Sequence, residues 1–205
     1  MGETGDPATN PGAAFLLSTN LNEDFTMTSL IRQMALAGAA LALWGVGNPA
    51  WAQPGHDNRA PDLGDYQKLK VEAGNKVAFQ AYAEGVQIWA WSGTSWVFVK
   101  PEAMLYAGEE GEVVGIHYAG PTWESPSGSY VVGAVIDRAT PNPSAIPWLL
   151  LGAVESDGPG IFDGITFIQR VNTVGGIAPA APGNYPGEVA RVPYTADYYF
   201  YRASH

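Results

Sequence analysis

His117 and Glu124 are the two residues whose types and spacing come nearest to acid–base chemistry. They flank Tyr118-Ala119-Gly120-Pro121-Thr122-Trp123. If that stretch bends back, imidazole and carboxylate meet as a general acid–base couple or as two metal ligands. Two ligands do not complete a metal site, and neither H-x-H nor H-E-x-x-H spacing occurs, so no metal is assigned. The competing reading makes His117 a strand residue bonded to a neighbour, and Glu124 a solvated or turn-capping acid.

Candidate binding residues lie around that pair and elsewhere. Trp123 sits in a loop, where packing alone explains a large indole poorly, and Tyr118 stands beside His117. Trp89 and Trp91 share a face at strand spacing, with Trp96 across a short turn. They form either a stacking platform for sugar rings or a cross-strand aromatic cluster. Arg170 lies in a mostly apolar run and requires a counter-charge if buried. Glu124, Glu155 and Asp197 are the acids available to it. Asn172 follows beside Gly175-Gly176, and the two polar residues either bind an anion or fix a loop. Tyr194, Tyr198, Tyr199 and Tyr201 read as packing residues of a final strand. The chain has no cysteine, hence no disulfide, thiolate ligand or cysteine nucleophile. It has no G-x-S-x-G elbow and no G-x-G-x-x-G after a strand, so no cofactor is assigned.

The elements that must position these residues are strands. With 25 Gly, 16 Pro, 7 Trp, 10 Tyr, 7 Phe and only 15% charged residues, the composition favours strands and turns over long helices. Lys76–Tyr82, Val86–Trp91 and Ser95–Val99 are β-branched and aromatic runs, the last two joined as a hairpin through Ser92-Gly93-Thr94. Glu84-Gly85 reads as a turn and Lys100-Pro101 as a strand end. Short runs follow at 103–106, 112–118 and 129–136, then Trp148–Val154, read as a strand rather than a helix. Ile161–Val171 and Val192–Arg202 complete the set. Residues 119–128 form a long connection between runs, a frequent place for function. Segments 137–147 and 177–191 are Pro/Gly-rich crossings. The expected fold is all-β, a single-domain sandwich or barrel of nine or ten strands over residues 66–205, with long Pro/Gly-rich loops.

Upstream lies an address. Residues 27–52 carry Arg32, an apolar run from Met34 to Val46, and Ala50-Trp51-Ala52 before Gln53, the layout of a cleaved signal peptide. That run is shorter than a membrane-spanning helix needs, so no stable span is expected after cleavage. Residues 1–26 read as a start-site extension and 53–65 as a flexible lead-in. The net charge of −10 argues against nucleic acid and against anionic lipid. Export to the periplasm or the exterior is expected.

Ala73-Gly74-Asn75-Lys76-Val77-Ala78-Phe79, Gly120-Pro121-Thr122-Trp123-Glu124, Ile146-Pro147-Trp148-Leu149-Leu150-Leu151, Ile168 to Gly176 and Tyr194 to Tyr201 occur in order along the chain. In these motifs the chain resembles a secreted bacterial and fungal family known as domain of unknown function 3455. The resemblance implies export and brings no established activity. Three readings follow. The first is a surface-associated β domain binding a glycan, polymer or protein. The second is a hydrolase or lyase using His117 and Glu124, with Arg170. The third is a self-associating envelope or matrix component.

Overall fold

A computed structural model describes residues 60–204. The extension, the signal peptide and residues 53–59 of the lead-in lie outside the described residues. Eight antiparallel strands run in chain order: β1 (Asn75–Trp91), β2 (Trp96–Tyr106), β3 (Val113–Tyr118), β4 (Thr122–Glu124), β5 (Tyr130–Ala139), β6 (Trp148–Asp157), β7 (Ile165–Gly175) and β8 (Val189–Ala203). Each pairs with its successor, and β8 pairs back on β1, closing an up-and-down barrel. The longest ladder is the closing one, from Asn75↔Ala203 to Ala90↔Val189. Closure removes the two free edges that an open eight-stranded meander would expose.

The strand count is eight rather than nine or ten because two expected breaks are not breaks. Glu84-Gly85 lies inside β1, where Gly85 pairs with Ala103 on one side and Tyr194 on the other. A Cβ at Gly85 would stand 2.1 Å from the Glu102 carbonyl oxygen, so glycine here permits close strand approach rather than a turn. Pro101 lies inside β2, opposite Gln87, but β3 begins to pair only at Ala103. On that side Pro101 occupies an edge position, where proline is tolerated. In the opposite sense, the long connection 119–128 contains a strand of its own, β4.

Alternation sorts side chains between the interior and the outer face. Ala81 and Ala83 of β1, Ala103 and Leu105 of β2, and Tyr194, Ala196, Tyr198 and Phe200 of β8 are all buried in the central core. At the end where β1, β3, β5 and β7 begin, Phe162 from the β6–β7 connection closes the barrel against Phe79 and Phe200. Ring centroids there are 5.5 and 5.0 Å from Phe162, and Phe79 stacks on Phe200 at 4.5 Å. At the opposite end, called upper below, Ile146 of the β5–β6 connection is tucked into the core. Its N–H donates to the Gly175 carbonyl, and its own carbonyl accepts from Thr173 Oγ1 at 2.6 Å.

A second apolar cluster lies on the outside. Leu63, Tyr66, Leu69 and Val71 pack across Ala139, Trp148, Leu150, Phe167, Val171 and Tyr199. The expected start of the fold at Tyr66–Glu72 is thus a strap with one 3-10 turn, Gln67–Leu69, and no strand. Gln169 Nε2 donates to the Leu69 carbonyl at 2.6 Å, the Tyr201 hydroxyl donates to Gln169 Oε1, and Lys68 pairs with Asp137 at 2.9 Å.

Candidate functional site

The β3–β4 register decides the fate of the His117–Glu124 pair. His117 is opposite Trp123, and Glu124 is opposite Ile116. Side chains alternate, so His117 and Trp123 point into the barrel while Glu124 points out. There Glu124 accepts a hydrogen bond from the Tyr118 hydroxyl at 2.8 Å, a diagonal pair on the outer face. The wall of the barrel separates imidazole from carboxylate, and the acid–base couple does not assemble.

Inside, a different group converges. His117 lies flat on Trp123, with the Tyr198 ring edge-on to both, at centroid distances of 5.3 and 5.4 Å. Gly133 of β5 leaves the space Trp123 fills: a Cβ there would sit 3.1 Å from the indole. Gln87 of β1 follows Gly85 on the inward face, and Tyr194 is paired with Gly85. Arg170 of β7 is paired with Leu149 and Tyr198, both inward, so its side chain enters the barrel as well. Its Nε and Nη2 both donate to the Pro147 carbonyl, at 3.1 and 2.9 Å, which holds the guanidinium near the upper opening. It is the partly buried member of the group.

The hydrogen-bond inventory is unusual for an interior. Gln87 Nε2, Trp123 Nε1, the Tyr194 hydroxyl and the Tyr198 hydroxyl are buried with no partner in the protein. The two hydroxyls and the Gln87 amide lie within hydrogen-bonding reach of one another around Tyr194, but their geometry makes these at best long or bent contacts, and none is a well-formed bond. Each unsatisfied buried group costs about 1–3 kcal/mol, so four in one cluster call for an explanation. Among the described residues no carboxylate pairs with Arg170; the ion pairs present are Lys68–Asp137, Lys100–Glu102 and Arg191–Glu102. Two of its five N–H groups serve Pro147, and three remain.

His117 supplies the opposite polarity. Its Nδ1 is 2.8 Å from the Thr122 carbonyl, which can only accept, so Nδ1 carries the hydrogen and Nε2 the lone pair. Burial holds its pKa down to about 3, the bond to Thr122 opposes the shift, and the Arg170 charge adds to it. The imidazole is a neutral acceptor. Burial also pushes Tyr194 well above its usual value, reinforced by Tyr198 and opposed by Arg170 and Gln87. The cluster therefore carries one fixed positive charge, four unpartnered polar groups that can donate, and one neutral ring acceptor.

The remaining candidates have structural places. Asn172 adopts φ 51° at an irregularity in the β7–β8 ladder, a conformation asparagine tolerates, and its amide donates to Asp197 at 2.8 Å on the exposed surface. Trp91 packs edge-on against Trp96 at 5.5 Å, and Trp89 against Phe98 at 5.4 Å. The indole N–H of Trp89 donates to Gly176 and that of Trp96 to Ala181. These tryptophans fasten the β7–β8 connection to the upper rim. Among the described residues, no three His, Asp or Glu side chains are grouped to hold a metal ion.

A family model described as "Protein of unknown function (DUF3455)" matches residues 72–202. The chain belongs to that family. The matched span runs from just before β1 to the penultimate residue of β8, so the DUF3455 domain is the closed barrel itself, and most of the outer strap precedes it. No curated protein and no solved structure matches the chain. Sequence reasoning found His117, Trp123 and Arg170 of the DUF3455 interior cluster but not Gln87, Tyr194 or Tyr198 as a site. Their signal was polar or hydroxylated residues on the inward phase of strands that otherwise carry Ala, Gly and Phe there.

Proposed function

We propose that this protein is an exported binding protein that takes a small ligand into the upper half of its barrel. The observation that carries the reading is the convergence of four unpartnered buried polar groups and an unpaired guanidinium in one interior. An eight-stranded barrel is wide enough either to be filled by side chains or to hold one small ligand. Here the lower half is filled by phenylalanines, and the upper half brings the polar ends of Gln87, His117, Arg170, Tyr194 and Tyr198 together among apolar side chains. A few convergent polar groups in an otherwise apolar enclosure are the pattern of ligand sites. The export part of the reading rests on the signal-peptide layout of residues 27–52. The acid–base reading loses its geometric support, because His117 and Glu124 face opposite sides of the sheet.

The test is native mass spectrometry of the protein purified from the compartment to which it is exported, beside a variant with Tyr194→Phe and Tyr198→Phe. A small molecule bound to the wild type at one equivalent and lost from the folded variant is the expected result. Wild-type protein without a bound molecule, showing no thermal shift across an array of small metabolites and sugars, would remove the reading.

A second reading, self-association at the envelope, rests on β2. Val97, Phe98 and Val99 are 51%, 46% and 52% exposed, and β2 pairs with β3 only from Ala103 to Tyr106. An exposed apolar strand with an unpaired edge is a place where chains join. Sizing at several concentrations, with Val97→Lys as the comparison, tests it; a monomer at every concentration removes it.

A further inference from the structure

We infer that the interior site is built for a small hydroxylated monocarboxylate. This rests on the interior-site reading above and goes beyond it in naming the ligand's chemistry. The cluster is dominated by donors. Gln87 Nε2, Trp123 Nε1 and the two tyrosine hydroxyls lack acceptors, and Arg170 keeps three N–H groups after bonding Pro147. A ligand that satisfies them must be rich in acceptor oxygens. The fork of a guanidinium matches the two oxygens of a carboxylate.

The charge of the site limits the charge of the ligand. Arg170 is its one cation. His117 adds no second, because its ring is buried flat against Trp123 with Tyr198 edge-on, where a charge is poorly solvated, and the Arg170 guanidinium repels it. A dianion such as a phosphate monoester would enter with one charge uncompensated, at high cost in a buried site. A monoanion is balanced. The lone pair on His117 Nε2 then asks for a donor on the ligand, and a hydroxyl beside the carboxylate provides it. The two tyrosine hydroxyls accept as well as donate, which again suits a hydroxylated rather than a purely apolar acid. A free hydroxy acid and the uronic acid residue of a surface polymer share this chemistry.

Calorimetric titration of the signal-free chain with D-glucuronate, D-gluconate and lactate, against D-glucose and glycerol as uncharged counterparts, tests the inference. A pectin-derived oligogalacturonate serves as the polymeric source. We expect at least one carboxylate to bind, and its uncharged counterpart to bind about tenfold to a hundredfold more weakly. Arg170→Gln, which keeps a donor for Pro147, should erase that preference, and Arg170→Lys should retain part of it. Oligogalacturonate binding without the free acids would place the site on a polymer; the reverse would place it on a metabolite. Equal binding of charged and uncharged compounds, unaffected by Arg170→Gln but lost in the Tyr194→Phe, Tyr198→Phe variant, would overturn the anionic class and leave the interior site standing. Binding unaffected by any of these substitutions would overturn both.

Discussion

His117 lies flat against Trp123, ring centroids 4.4 Å apart and planes inclined by 8°. The two are direct partners across the β3–β4 ladder, and the contact fixes the protonation of the imidazole. Stacked on an indole and buried, His117 is too poorly solvated to hold a second proton, and this outweighs the bond to Thr122, which favours the charged ring. Its pKa of about 3 in the folded state stands below the 6.5 of an unperturbed histidine. The unfolded chain therefore binds a proton that the folded chain refuses. Stability contributed by the neutral ring is complete above pH 6.5 and is lost as the pH falls toward 3, at up to ~1.4 kcal/mol per pH unit. His117→Asn keeps a donor for Thr122 and cannot titrate. Denaturant unfolding across pH 3–8 should show the wild type losing stability on the acid side faster than the variant. Parallel curves would refute a buried neutral histidine.

The Gly85→Ala variant should be strongly destabilised. The added Cβ meets backbone, the Glu102 carbonyl at 2.1 Å and the Ala103 Cα at 2.5 Å, so no rotamer change relieves it. A loss of about 3 kcal/mol or more is expected in urea unfolding. Gly74→Ala is a useful contrast: φ is +88°, but no atom lies within 4 Å, so only the backbone penalty applies, about 1 kcal/mol. Equal effects at the two positions would show that β1 and β2 do not approach as described.

Much of the fold could be read from the chain, because an all-β pattern with short turns announces itself residue by residue. The hairpin around Ser92-Gly93-Thr94 and the strand character of Trp148–Val154 follow from alternation and length. Glu84-Gly85 and Lys100-Pro101 misled because a turn signal is local, while the tolerance of Gly85 and Pro101 comes from what the neighbouring strands do at those points. Closure of β8 on β1 joins residues about a hundred or more apart and leaves no local mark. The site divides the same way. His117, Trp123 and Arg170 stood out as residue types. Gln87, Tyr194 and Tyr198 became a site only once β1 and β8 brought them to one interior beside His117, Trp123 and Arg170.

Trp89→Phe should loosen the upper rim without unfolding the barrel. The ring contact with Phe98 survives in part, but the Gly176 carbonyl loses its donor. A cost of about 1 kcal/mol is expected. Hydrogen exchange should rise across residues 176–188 and stay unchanged in β3 and β7. Unchanged exchange in that connection would show that the indole does not hold it.

Leu69→Ala tests whether the outer strap belongs to the folded unit. Leu69 is fully buried in the outer cluster, and its carbonyl accepts from Gln169. Truncation should cost ~2–4 kcal/mol by the usual cavity and transfer terms. Most of the strap precedes the matched family span at residue 72, so a negligible cost would mean the barrel stands without it.

The tyrosines separate a binding site from an ordinary core most sharply. A buried hydroxyl that serves the fold has a partner, and its removal costs about 1 kcal/mol or more. Tyr194 and Tyr198 have no well-formed partner, only each other and Gln87 in poor geometry, although each is at least 98% buried. Removing an unsatisfied polar group relieves a desolvation cost and leaves the ring packing intact. Tyr194→Phe and Tyr198→Phe should therefore leave the ligand-free protein as stable as the wild type, or more stable by up to ~1 kcal/mol, while weakening ligand binding. Gains in stability at the expense of function are the mark of residues kept for what they bind. Tyr201→Phe is the internal control: its hydroxyl donates to Gln169, and the same substitution there should destabilise. Thermal unfolding of the three variants decides the matter, and a clear loss of stability at both 194 and 198 would return those residues to the core.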